Sequence, residues 1–229
     1  KIWSRAIAYF LFEGRPLTTM GRFFNVFTFI FIKFVSFLPL KVKTPNVAYI
    51  VGTGRSGTTA LGIALSLHKS IGFLNEPKAL WYHVNRCDDI SGNYSKINNG
   101  RYFFNINELS SLNKIKLYRL YTVFLKLTKS DLILDKYPEM IFRTELILSL
   151  FKSAKFIFIT RSGYDTINSV VNWSKRYSKT TSGGTMDWWG YNNRKWNYLL
   201  EQEVPKHSDL HSQLVSSCNT ITDEIKAGI

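Results

Sequence analysis

Residues Val47 to Leu67, VAYIVGTGRSGTTALGIALSL, join a short apolar run, a glycine-rich turn and a helical pattern. Val47, Ala48, Tyr49, Ile50 and Val51 are continuously apolar, which predicts a strand covered on both faces in a parallel sheet. Beyond the turn, Leu61, Ala64, Leu65 and His68 stand at i, i+3, i+4 and i+7 and predict one buried helix face. Between these elements lie Gly52, Gly54 and Gly57. Glycines allow positive φ and close backbone approach, so successive N–H groups can turn inward to an anion at the helix N-terminus. The stretch reads as a phosphate cradle at the head of a three-layer α/β fold, a central parallel sheet flanked by helices.

The match to the nucleoside-triphosphate P-loop is partial, so the fold expected is P-loop-like. That loop needs glycine, four residues, then Gly-Lys-Ser/Thr, with the lysine reaching the β and γ phosphates. Gly52 and Gly57 have this separation, but Thr58 stands in the lysine position and Arg55 is the loop's only cation. Backbone N–H groups, the hydroxyls of Ser56, Thr58 and Thr59, and Arg55 remain to hold a phosphate.

With 229 residues the chain can bury a substantial core, and 45% hydrophobic content excludes a disordered chain. A formal net charge of +14 calls for an anionic partner: a nucleotide, anionic lipid or acidic glycan. No contiguous basic run resembles a nucleic-acid arm, so nucleic acid is not expected as a partner. Cys87 and Cys218 make neither a disulfide framework nor a metal motif, which favours a reducing compartment.

Residues 1–44 differ in character from the remainder of the chain. Lys1, Arg5, Arg15, Arg22, Lys33, Lys41 and Lys43 face the single carboxylate of Glu13, among many aromatics. From Phe23 to Leu40 the segment is apolar but interrupted by Asn25, Lys33 and Ser36, marginal for a bilayer span of about 20 apolar residues. No small-residue cleavage site comes after it, so it is not read as a signal peptide. Two readings stand: a helix docked on the domain, or a segment lying in a membrane interface.

Past the cradle, a strand at Ile71–Leu74 leads to Asn75-Glu76-Pro77, and Pro77 suits the start of a helix at Lys78–Val84. Glu76 thereby falls at a strand's carboxyl end, where open α/β sheets bind ligands, although a capping or surface-paired carboxylate would occupy the same position. Asp88–Asn105 reads as a long polar loop and Leu112–Leu127 as a basic amphipathic helix whose Lys114, Lys116, Arg119 and Lys126 form a solvated side. A third strand at Asp131–Leu134 precedes Asp135 and Lys136, and an aspartate so placed could hold magnesium in a nucleoside-triphosphate enzyme. A fourth at Lys155–Thr160 ends at Arg161, and a helix over Asp165–Trp173 carries Ser169, repeating the strand–turn–helix pattern of the cradle. Beyond these, Arg176–Thr185 reads as a polar loop, and Met186–Gln202 holds Trp188, Trp189, Tyr191, Trp196 and Tyr198, read as core packing or a sugar platform. His207 and His211 share a helical face without a third metal ligand.

Taken together, these segments resemble sulfotransferases that use 3′-phosphoadenosine 5′-phosphosulfate, especially bacterial carbohydrate-type members. The similarity spans Val47 to Gln202 and keeps the family's motif order. GTGRSGTT resembles the 5′-phosphosulfate loop, which implies donor contacts from Arg55, Ser56, Gly57, Thr58 and Thr59. FIFITRSGYDTINSVVNW resembles the 3′-phosphate element, with Arg161 and Ser169 at the contacting positions. LNEPKALW and DKYP are similar to segments that supply a catalytic carboxylate and a lysine, implying Glu76 and Lys136. Gly163 departs from the proline common after the family's arginine. The later strand and basic glycine-containing loop of relatives have no counterpart before Ile229, which implies that the domain of residues 45–229 lacks its C-terminal part.

The resemblance implies sulfuryl transfer to a hydroxyl acceptor, a glycan or glycolipid. Glu76 would act as general base, while Lys136 and Arg55 would stabilise the sulfuryl and leaving oxygens; the scheme needs no metal. The cysteine usage accords with a cytoplasmic protein, peripheral on the inner face of a membrane if residues 1–44 bind an anionic lipid surface. Two rivals are a P-loop kinase or NTPase, supported by Asp135, and a nonenzymatic basic module for membrane surfaces or polyanions.

Overall fold

The computed structural model of the chain describes residues 2–15, 20–90, 92, 94, 100, 101 and 109–177. Strands β1 (Val47–Gly52), β2 (Ile71–Asn75), β3 (Leu132–Lys136) and β4 (Lys155–Ile159) form a parallel sheet in the order β2-β3-β1-β4. Around it lie α1 (Ile2–Ala8), α2 (Asn25–Phe37), α3 (Thr58–Leu65), α4 (Lys78–Val84), α5 (Ser111–Thr128), α6 (Thr144–Leu150) and α7 (Gly163–Tyr177). The expected α/β architecture, a parallel sheet between helical layers, is the one observed. Met186–Gln202, His207, His211, Cys218 and the chain end at Ile229 lie outside the described residues, as do most of the loops read at 88–105 and 176–185.

The continuous apolar run of β1 is explained by burial on both faces along its whole length. Ala48 and Ile50 face the α3 side with Phe73 and Leu134. Val47, Tyr49 and Val51 face a larger core built with residues of α1, α2, α4, α5 and α6. Alternating strand side chains thus serve two helical layers at once.

Two sequence expectations are corrected. The buried face of α3 is Thr58 and Gly62, with Leu61 and Leu65 half-buried, whereas Ala64 and His68 are exposed. The helix ends at Leu65, before His68, and it approaches Phe73 at the side-chain-free Gly62, which turns Ala64 outward. Strand β3 begins at Leu132 rather than Asp131 and runs on through Asp135 and Lys136, because these residues pair with β1 and β2.

The N-terminal helices pack on the sheet through a buried charge cluster. Glu13 is fully buried and accepts hydrogen bonds from Arg5 Nη1 (2.7 Å), Arg15 Nη2 (3.0 Å) and the backbone N–H of Asn75 (2.8 Å). Such pairing is what lets a carboxylate leave water. Helix α2 is fastened by Thr28, which donates to Phe10 O (2.7 Å), and by Asn25, which exchanges two hydrogen bonds with the Arg15 backbone. Arg119 is not simply on a solvated side of α5: its Nη1 donates to Ser36 O at the end of α2 (2.8 Å).

Candidate active site

The nine candidate residues gather along the carboxyl edge of the sheet. The cradle comes after β1, Glu76 after β2, Lys136 ends β3, and Arg161 and Ser169 come after β4. Pairing of Gly52 with Ile159 and of Ile50 and Asn75 with Lys136 brings these strand ends level. Since β1 lies between β3 and β4, the cradle has Lys136 on one side and Arg161 on the other.

The cradle's tightness is set by backbone geometry. Gly52 has φ +152° and sits against β4, where a Cβ would lie 2.5 Å from Ile159 O. Gly57, at φ +103°, is the N-cap of α3. Ser56 is buried and donates its hydroxyl to Thr53 O (2.7 Å), closing the turn; Thr58 is buried and Thr59 exposed. Arg55 is a non-glycine residue at positive φ (69°). Its Nε donates to Ser169 Oγ (3.2 Å), and Arg161 Nη1 donates to Arg55 O (3.1 Å). Residues 114 and 106 positions apart thereby share one cleft of about 540 Å³. Asp165, Asn168, Asn172 and Trp173 of α7 also line it. Their i, i+3, i+7, i+8 spacing, in phase with Ser169, was legible as a helix face, but only the fold shows that this face meets Arg55.

The second group is an ion-paired cluster. Lys136, buried at the end of β3, donates from Nζ to Glu76 Oε1 (2.6 Å), while its backbone oxygen accepts from Glu76 N–H (2.7 Å). Lys78 Nζ lies 3.3 Å from Glu76 Oε2, a partner the sequence reading missed; its place just after Pro77 on α4 was the available signal. Withdrawal from water works against ionisation of Glu76, but the two ammonium groups prevail and hold its carboxyl well below the usual carboxylate range. Glu76 is also held at positive φ (54°). Such a backbone conformation costs about 1–3 kcal/mol and must be imposed by its surroundings. Of the three described non-glycine residues at positive φ, two are Arg55 and Glu76; the third, Lys129, caps α5.

Asp135 does not reach this edge. Its carboxylate is fully buried on the opposite face, accepting hydrogen bonds from Tyr121 OH (2.7 Å) and Trp81 Nε1 (3.0 Å). Burial raises its pKa to about 7, against the lowering effect of those two donors. The residue that favoured a kinase or NTPase therefore belongs to the core.

A parallel sheet with a glycine-rich loop after a central strand, and cationic groups at neighbouring strand ends, defines a P-loop-like fold. The chain matches the sulfotransferase family over residues 48–211 and belongs to that family. No curated protein matches it. The family assigns sulfuryl transfer to the chain, and the absent P-loop lysine at Thr58 accords with it.

Proposed function

We propose that the sulfuryl donor is 3′-phosphoadenosine 5′-phosphosulfate and that the acceptor is a hydroxyl of a glycan or glycolipid. The observation that carries the donor reading is the hydrogen-bonded convergence of Arg55, Ser169 and Arg161. A donor with a 5′-phosphosulfate and a separate 3′-phosphate needs two anion sites, and the cradle and the β4–α7 turn meet that demand with one shared cleft. Backbone N–H groups at Gly57–Thr59 and Arg55 would hold the 5′ side; Arg161 and Ser169 would hold the 3′-phosphate. Residues 45–229 form the sulfotransferase domain in this reading, with residues 1–44 as an added segment. A glycolipid acceptor would bring the protein to an anionic membrane surface, on its cytoplasmic face.

In the transfer, the acceptor oxygen bonds to sulfur as the bond from sulfur to the leaving phosphate oxygen breaks. Glu76 takes the acceptor proton, and Lys136 and Arg55 stabilise the charge spread over the sulfuryl and phosphate oxygens. The ion pair gives Glu76 a second property. While Lys136 and Lys78 hold it, the carboxylate is a weak base. Lys136, drawn toward anionic sulfuryl oxygens, releases part of that hold, so Glu76 gains basicity when the proton must leave.

Calorimetry of the full chain with adenosine 3′,5′-bisphosphate and with magnesium-ATP tests the donor class. The bisphosphate is expected to bind and ATP to bind more weakly. Preference for ATP would remove the donor reading.

A further inference from the structure

Helix α2, unlike an ordinary surface helix, is apolar on both faces: Ile32 and Val35 enter the core, with Phe29 and Phe31 partly buried against it. Its inward face carries Asn25, Thr28 and Ser36 beside Ile32 and Val35, all buried. The outward face is aromatic: Phe27, Ile30, Phe34 and Phe37 expose 67%, 62%, 62% and 66% of their surface. With Val26 and the preceding Phe23, also exposed, they recur at the spacing of one helical stripe. Exposed apolar patches of this extent mark interaction surfaces. Asn25 and Thr28 bond the Arg15 and Phe10 backbones, which fixes this orientation of the helix, while Ser36 donates to Lys33 O within it.

Beside the stripe runs a cleft of about 1120 Å³ between α2, α4 and the start of α5. Phe29 and Tyr82 contribute apolar walls, while Lys33, Arg86 and Lys116 bring cations to it. These cations converge: burial together with the positive charges of Lys116, Arg86 and Lys33 pushes the His83 imidazole down to about 4. Lys41 and Lys43 are exposed just past the helix. No described helix is long and apolar enough to cross a membrane, and α2, with 13 residues, is about 20 Å long against a hydrocarbon core of about 30 Å.

We propose that α2 lies in the plane of an anionic phospholipid surface, with the Phe27–Ile30–Phe34–Phe37 face among the acyl chains and the Lys33–Arg86–Lys116 cleft against lipid phosphates. Charge decides for this occupant. An apolar stripe flanked by cations matches a bilayer interface, where apolar burial and attraction to anionic head groups act together. A second copy of this chain would bring like charges face to face. The inference stands on α2 and its cleft and does not rest on the donor or acceptor reading.

Flotation of the full chain with vesicles of phosphatidylcholine, alone or mixed with phosphatidylglycerol, tests it. The chain is expected to float with the mixed vesicles and far less with phosphatidylcholine alone, and salt should weaken the binding. Phe27→Asp/Phe34→Asp, at exposed positions, should abolish flotation while leaving the circular dichroism and the thermal midpoint unchanged. Lys33→Glu/Lys116→Glu should lower partition into the mixed vesicles by about tenfold or more. The proposal fails if the parent chain stays unbound, or if the phenylalanine variant floats like the parent. It also fails if, without lipid, the parent sediments as a dimer that the phenylalanine variant breaks into monomers.

Discussion

The two sides of the cradle are built differently. Toward β4, Arg55 and Arg161 are exposed; Arg161 donates to Arg55 O at 3.1 Å, and Arg55 donates to Ser169 Oγ at 3.2 Å. Toward β3, Lys136 is buried and bonded to Glu76 at 2.6 Å, and β2 behind Glu76 is tied by Asn75 N–H to the buried Glu13. Exposed guanidinium groups keep their water and lose little while unpaired. A buried ammonium cannot be left without a counter-charge, so Glu76 is required even before any ligand arrives. The exposed side thus suits the binding role proposed for it, whereas the ion-paired side is already assembled.

The sharpest way to break this contrast is on the assembled side. Glu76→Gln keeps the side-chain length and an oxygen for Lys136 but cannot accept the acceptor proton, and it lowers stability because the Lys136 ammonium loses its counter-charge. Turnover is expected to fall by about 10²–10⁴-fold, with affinity for adenosine 3′,5′-bisphosphate retained. Near-normal turnover would leave Glu76 with only the structural task of neutralising Lys136. A loss of bisphosphate affinity as large as the loss of turnover would place it on the binding side instead.

A smaller effect is expected across the cradle. Arg161→Ala removes a charge-assisted contact at an exposed site and should weaken adenosine 3′,5′-bisphosphate by about 10–100-fold. Its affinity for adenosine 5′-phosphosulfate, which lacks the 3′-phosphate, should change little. Equal losses for the two nucleotides, measured by calorimetry, would reject Arg161 as the 3′-phosphate contact.

How much of this was legible differs along the same line. The four strands and the helices after them arise from apolar runs and helical spacing, and their parallel order brought four separate motifs to one edge. Chemistry at strand ends was also readable: Arg161 and Glu76 stand just after apolar runs. What the sequence could not give were relations across long separations. Lys78 and Lys136 both hold Glu76, yet 58 residues part the two lysines in the chain. Positive φ at Arg55 and Glu76 has no residue-type signature, because neither is glycine. The magnesium role weighed for Asp135 fails for a related reason. Its neighbour Lys136 reaches the site, and in a strand that alternation sends Asp135 the other way.

That alternation yields the mildest of the expected effects at any one step of pH. An unfolded aspartate ionises near its ordinary value of about 3.9. In the fold, burial among Tyr121, Trp81 and the core keeps the Asp135 proton until about pH 7. Between these values the folded state binds more protons than the unfolded one, so raising the pH should erode stability, by up to about 1.4 kcal/mol per pH unit. Below the lower value and above the upper one this contribution should be flat. Asp135→Asn retains an oxygen for Tyr121 and Trp81 but cannot ionise, so the difference in urea-unfolding free energy between variant and parent should grow across that window in favour of the variant. His83, whose depressed pKa acts in the opposite sense over part of the same range, is common to both proteins and cancels in the difference. A difference independent of pH would mean that Asp135 is charged in the fold at ordinary acidity. Even then Asp135 would stay on the core side of β3, away from the cleft, with its charge held by the Tyr121 and Trp81 donors.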